Sequence, residues 1–462
     1  MPLARELAEW VVRLRYEDLP PDVIDATKLR ILDVLGLALA GAETRFGRAI
    51  RAGALAVSPP GLCRIVGTGE RVGVTSAAFA NASFPQALEF DDTHNESIVH
   101  MSSPSVAATL ALAETRAVTG RDAILAIAIA NEIACRVGVV APGQFHRRGF
   151  HPTGLFSPFG IAYGAGKLLG LDAEALAFAA GTCGSFAAGV LECWVDGTDT
   201  KFLHSGWAAQ SGVSAAIFAQ SGVTGPPMIF EGRFGLFASH LQDPSASKRL
   251  ERIVEGLGSH WESRLSSFKP FPAAHVLHPY ISAILRLREG GLRPADVARI
   301  ECPVAEFNVS IVCEPVEEKR APASQAHCRV CLQYTLAEAL YCGKLGKDAY
   351  EDRSRLDPEI LALARVVDYY VDPEFPGPGR FKGAVRVTLK NGRVLTEVEE
   401  FNRGSAENPM SQSELRAKFD DNASGLLTSE ARDRLAHEVG RAENLSDASV
   451  LVGLTVSRGV RL

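Results

Sequence analysis

From residue 3 to about residue 258, apolar side chains recur three and four positions apart, with Ala and Leu abundant. That is the period of helices burying one face. Residues 23–39 show it well: Val23, Ala26, Leu29, Ile31, Leu32, Leu35 and Leu39 line one broad apolar face. The pattern predicts an α-helical first half. It changes later in the chain, where β-rich runs occur at 297–304, 384–389 and 394–398. The last two flank Lys390-Asn391-Gly392, and Asn-Gly between such runs predicts a hairpin closed by a type I′ turn. Residues 267–403 therefore read as α+β. Beyond a polar stretch at 403–408, helical spacing resumes in 411–419 and 429–439. These segments are too short to build a core of their own and are expected to return to the helical part. The expected fold is mainly α with a second α+β domain. A large discontinuous all-helical domain, 1–266 completed by 404–462, carries a smaller α+β lid domain, 267–403.

Composition narrows the function. The 462 residues are 47% hydrophobic and 22% charged, an ordinary globular balance for two or three domains. With 48 basic against 54 acidic residues and a net charge of −6, the chain has no excess with which to neutralise phosphates, so nucleic acid is not expected as a partner. The first twenty residues are amphipathic and mixed in charge, without the pattern of a secretion signal. The most apolar stretch, 123–140, is interrupted by Asn131, Glu132 and Arg136, which reads as a buried helix rather than a membrane span. Nine scattered cysteines fit a reducing cytoplasm better than a disulfide framework, so a cytoplasmic location is expected. Cys328 and Cys331 read as two packed thiols. No HExxH, cluster spacing, GxGxxG or P-loop occurs in a fitting context, so metal, iron–sulfur and nucleotide binding through those motifs are not expected.

The candidate chemistry lies at helix amino ends. In His100-Met101-Ser102-Ser103-Pro104 the spacing predicts Ser103 as N-cap and Pro104 as first helical residue, with the helix running to near Gly120. His151-Pro152-Thr153 leads to Ser157-Pro158 and a helix ending near Gly170, and His275 and His278-Pro279 precede a helix over 280–289. Lys201 and His204 stand ahead of an Ala-rich helix expected to start near Ser205. Lys269 lies in the proline-stiffened connector Phe268-Lys269-Pro270-Phe271-Pro272. Helix amino ends offer unpaired N–H groups and positive potential, so their convergence would make an anion site. In Glu89-Phe90-Asp91-Asp92-Thr93-His94, a helical turn would put Glu89, Asp92 and Thr93 on one face, for acid–base work, metal binding or simple capping at Asn95. Each feature alone is also an ordinary cap, surface lysine or core histidine; only their co-occurrence points to a site.

These motifs, in this order, resemble the MmgE/PrpD family: Glu89 to His94, His100 to Pro104, His151 to Gly154, Thr198 to Lys201 with Leu203 to Gly206, and Lys269 to Pro272 through His278-Pro279. The family includes 2-methylcitrate dehydratase, cis-aconitate decarboxylase and iminodisuccinate epimerase. The resemblance implies a helical domain built from both termini, an α+β lid, a homodimer, and a cofactor-free site between the domains. It places that site on Glu89, Thr93, His100, His151, Lys201 and Lys269. Three departures weigh against the decarboxylase: Glu89 stands where an Asp is usual, Met101 replaces a Pro, and Ala274 occupies a His position, with His275 next to it.

The reading is a hydro-lyase of the 2-methylcitrate dehydratase type acting on a small di- or tricarboxylic acid. His100 and His151 serve as base and acid in an order left open, oriented by Glu89 or Asp92. Thr93, Lys201, His204, Lys269 and His275 bind the substrate. Epimerisation, decarboxylation and a non-catalytic carboxylate-binding scaffold are the alternatives.

Overall fold

The computed structural model describes residues 1–377 and 379–456. Five helices pack around one another at its centre: Val74–Gln86, Ser102–Ala113, Gly120–Gly138, Pro152–Leu168 and Thr200–Gln220. Their closeness is set by small residues. A Cβ on Gly160 would lie 2.0 Å from the carbonyl oxygen of Ala130, and one on Gly164 would lie 2.5 Å from that of Ala126. Only hydrogen fits there, so helices Gly120–Gly138 and Pro152–Leu168 touch backbone to backbone. Asn131, Glu132 and Arg136 within the first are buried and paired: Arg136 Nε donates to Glu132 Oε1 at 2.6 Å and Ser105 Oγ to Asn131 Oδ1 at 2.6 Å. Among the described residues, no helix is long and apolar enough to cross a membrane.

The tail helix Gln412–Ala423 begins with a capping box between Ser411 and Glu414. It lies along Pro21–Ala42, where buried Lys418 pairs with Asp33 at 2.8 Å and donates to the carbonyl oxygen of Phe90 at 2.9 Å. A separate hydrophobic core, running from Ala273 to Val387, fills the α+β part. Its sheet has the order β6-β5-β7-β8, with β5 Val297–Val304, β6 Val367–Val371, β7 Gly383–Leu389 and β8 Val394–Glu399. Strand β6 was not legible in the sequence. It pairs parallel to β5, and its burial falls off along its length instead of alternating, so it carries no period-two signal. Two hairpin strands within the helical part, β1 Pro60–Arg64 and β2 Arg71–Val72, were likewise too short to announce themselves.

The β7–β8 connection departs from the expected type I′ turn. Leu389 and Arg393 close a loop in which Gly392, at φ +85°, takes the left-handed conformation and Asn391 does not. This is the three-residue hairpin geometry, with glycine at its final position.

One small element matters more than its size suggests. Strand β3, Thr93–His94, pairs antiparallel with β4, Ser266–Ser267. This pairing lays the connector that carries Lys269 beside the segment that carries Glu89.

Candidate active site

Glu89, Thr93, His100, His151, Lys201, Lys269 and His275 line a single cavity of about 660 Å³. All seven are buried. The lining also includes Arg147, Glu318 and Lys319 and apolar groups such as Trp194, Ile311, Val330 and Phe381.

The segment from Glu89 to Thr93 is not the helical turn expected from its spacing. The helix Val74–Gln86 ends earlier, Glu89 has φ +52°, and Thr93 already belongs to β3. A left-handed conformation is uncommon for a residue with a Cβ, and here it is held from outside. Lys269 Nζ donates to the Glu89 carbonyl oxygen at 3.0 Å and lies 3.5 Å from Oε2, while Lys201 Nζ donates to Oε1. Burial alone would raise the Glu89 carboxyl, but the two ammonium groups outweigh it and hold the group well below the usual carboxylate range.

His100 is fixed by its neighbours. Its Nδ1 lies 2.9 Å from the carbonyl oxygen of Asp92 and 3.1 Å from Thr93 Oγ1, and its backbone N–H donates to Thr153 Oγ1 at 3.0 Å. A carbonyl oxygen only accepts, so Nδ1 carries the proton and Nε2 is left as a bare base. Burial, reinforced by Lys269 and Lys201, pushes this imidazole down to about 3, so it is uncharged at neutral pH.

Asp92 does not orient a histidine through its carboxylate, which turns away from the cavity. Its Oδ2 meets Arg30 Nε at 3.3 Å and the Ser102 hydroxyl, and its Oδ1 accepts the Ser102 N–H at 3.2 Å. It therefore caps the next helix, which starts at Ser102 instead of using Ser103 as cap, holds Pro104 inside its first turn, and ends at Ala113 rather than near Gly120. A carboxylate that does approach His100 is Asp91, with Oδ1 3.6 Å from Nδ1 and Oδ2 accepting from Ser103 Oγ at 2.8 Å.

The other helix starts also differ from expectation. His151 is the N-cap of Pro152–Leu168, with Pro152 first and Pro158 inside. The helix carrying Lys201 and His204 begins at Thr200, so both residues sit within its first turns. A short turn, His275–Leu277, precedes the helix His278–Glu289. Lys201 faces the cavity, whereas His204 is not part of its lining. His204 stands behind His151, their Nδ1 atoms 3.0 Å apart. His275 faces the cavity and its Nε2 meets Asn402 Nδ2 at 2.9 Å. Asp91, Arg30, Thr153 and Asn402 went unnoticed in the sequence. Asp91 and Thr153 sat inside motifs already singled out, and Arg30 and Asn402 carried no local signal. Among the described residues, no group of three or more His, Cys, Asp or Glu is placed to hold a metal ion.

A predominantly helical body meeting an α+β part, with buried lysines, histidines and a carboxylate around a cavity beside their connector, defines the class. Within it the chain belongs to the MmgE/PrpD family: the MmgE/PrpD N-terminal domain matches residues 5–249 and the C-terminal domain residues 271–442. The chain is 28% identical to a cis-aconitate decarboxylase of Aspergillus terreus, over 97% of this chain and 95% of that protein. It is 28% identical to cis-aconitate decarboxylase of Homo sapiens, over 98% and 94%. Similarity to 2-methylcitrate dehydratase of Escherichia coli is 24% identity over 83% of this chain and 82% of that protein.

Proposed function

We propose that this protein is a cofactor-independent lyase acting on a small di- or tricarboxylic acid. The observation that carries the reading is His100, a buried imidazole whose Nδ1 is committed to the Asp92 carbonyl and whose Nε2 is bare, beside two buried ammonium groups. The lysines bind carboxylates and receive the negative charge that develops when a carbon next to a carboxylate loses its proton or its CO₂. His100 Nε2 is the atom that takes or returns that proton.

The preferred substrate is an unsaturated tricarboxylate of the cis-aconitate type, and the preferred outcome is loss of CO₂. The electron pair of the C–CO₂ bond forms a new double bond, and the old alkene carbon takes the proton from His100, protonated when the anionic substrate binds. This balance consumes one proton per turnover. The similarity to decarboxylases along nearly the whole chain favours this outcome, against the Glu89, Met101 and Ala274 departures that weigh the other way.

Dehydration is the second reading, favoured by the uncharged state of His100. There Nε2 removes the carbon-bound proton and hydroxide leaves from the neighbouring carbon. Purified protein incubated with cis-aconitate, 2-methylcitrate, citrate and iminodisuccinate in deuterated water tests both. CO₂ release with deuterium at the former alkene carbon supports decarboxylation, and alkene absorbance from a hydroxy acid supports dehydration. Deuterium exchange without net loss makes the protein an epimerase, and no reaction with any acid overturns the lyase reading.

A further inference from the structure

The contact between His151 and His204 settles more than packing. Two imidazoles meet through their Nδ1 atoms at 3.0 Å, and both rings are buried. One Nδ1 must then carry the proton and the other must accept it. Burial, with Lys201 adding to it, keeps both rings uncharged near neutral pH, with His204 pushed down to about 4. Exactly one proton therefore lies in the contact, and its owner fixes which nitrogen of His151 is protonated on the cavity side. His151 Nε2 is buried and has no hydrogen-bond partner in the protein, although the residue lines the cavity. A group anionic enough to be drawn by Lys201 and Lys269 offers only acceptor oxygens, so whatever meets Nε2 there needs an N–H.

We infer that His204 is a positioning residue that donates its Nδ1–H to His151 Nδ1, holding His151 as an Nε2–H donor for a carboxylate oxygen of the bound acid. This rests on the proposed function and divides the labour of the two cavity histidines. His100 moves the proton through its Nε2, whereas His151 presents a protonated Nε2 and binds charge as a neutral imidazole. The ring of His204 is itself held in place. Gly189, at φ +128°, lies flat against it, and a Cβ there would sit 3.3 Å from Nδ1, while the Gly189 carbonyl oxygen accepts the His151 N–H at 2.9 Å. The same loop thus sets the height of both rings.

The test uses two substitutions of equal size. His204→Asn keeps a donor at the Nδ1 position, and His204→Asp leaves only acceptors, forcing the proton onto His151 Nδ1. Nitrogen-15 spectra of the histidines are recorded with and without citrate, the His151 signals being identified by their loss in His151→Gln. The expected result is Nε2-protonated His151 in the citrate complex of the wild type and of His204→Asn, with citrate affinity within about threefold. In His204→Asp, His151 becomes Nδ1-protonated and affinity falls at least tenfold. Citrate bound beside an Nδ1-protonated His151 in the wild type overturns this inference and leaves the proposed function standing. Failure of citrate and cis-aconitate alike to bind overturns both. Equal affinity in the Asn and Asp variants overturns the positioning role.

Discussion

Lys269 Nζ reaches the backbone carbonyl oxygen of Glu89, at 3.0 Å, across 180 positions of sequence. The contact does two things at once. It braces a non-glycine residue in a left-handed conformation, and it places a second ammonium group 3.5 Å from a carboxylate already bound by Lys201. Lys269→Met removes the brace and the charge while keeping most of the volume. The expected outcome is a loss of roughly 10²-fold or more in kcat/KM for the tricarboxylate, the range seen when one charge-stabilising donor is removed. Steady-state kinetics alongside a thermal melt checks it, and unchanged kcat/KM would remove Lys269 from the site.

His100→Gln keeps a polar side chain of similar reach but cannot act as a base. Turnover is expected to fall by about 10² to 10⁴, the usual contribution of a positioned proton-transfer group. Deuterium incorporation into the acid should vanish with it, while the melting temperature stays close to that of the wild type. Incorporation that survives the substitution would assign the proton transfer elsewhere.

The buried histidines set the acid limit of stability. Burial, joined by nearby positive charge, pushes His100 down to about 3 and His204 to about 4, from an ordinary value near 6.5. A depressed folded value means that the unfolded chain binds the proton more readily. The stabilisation is therefore complete above about pH 6.5 and is lost as pH falls through 4 towards 3. Melting temperatures should decline steadily across that window, and a flat profile would show that these rings are not held uncharged.

Binding of a polyanion should partly reverse that depression at His100, because negative charge favours the imidazolium. Citrate titrated at pH 7 is expected to take up protons from solution. Calorimetry in phosphate and in Tris, whose ionisation enthalpies differ, measures the uptake, and identical heats in both buffers would contradict the assignment.

Arg30 and Asp92 form a buried ion pair that also caps the helix Ser102–Ala113 and anchors Ser263 through a 2.9 Å hydrogen bond from Arg30. Arg30→Met leaves Asp92 unpaired in the interior, with an expected stability loss of about 3–5 kcal/mol. Chemical denaturation measures it. An effect on turnover with no loss of stability would instead return Asp92 to the catalytic group.

The sequence by itself determined the helical character of the first half, the return of the tail helices and the β5, β7 and β8 strands, because apolar spacing repeats locally and each helix or strand needs only its own residues to show its period. It also marked seven residues that line the cavity, Glu89, Thr93, His100, His151, Lys201, Lys269 and His275, since helix starts and charged motifs are visible in local sequence. Tertiary structure alone decided what those groups do. The carboxylate of Asp92 faces Arg30 instead of the cavity because a cation from a helix 62 positions away needed a partner in the interior. Strand β6 exists because β5 offered it a parallel edge. The protonated nitrogen of His100 was settled by the carbonyl of Asp92, and the place of His204 by the ring of His151. Such choices depend on which acceptor or charge lies within about 3 Å after folding, a distance that hydrophobic periodicity does not encode.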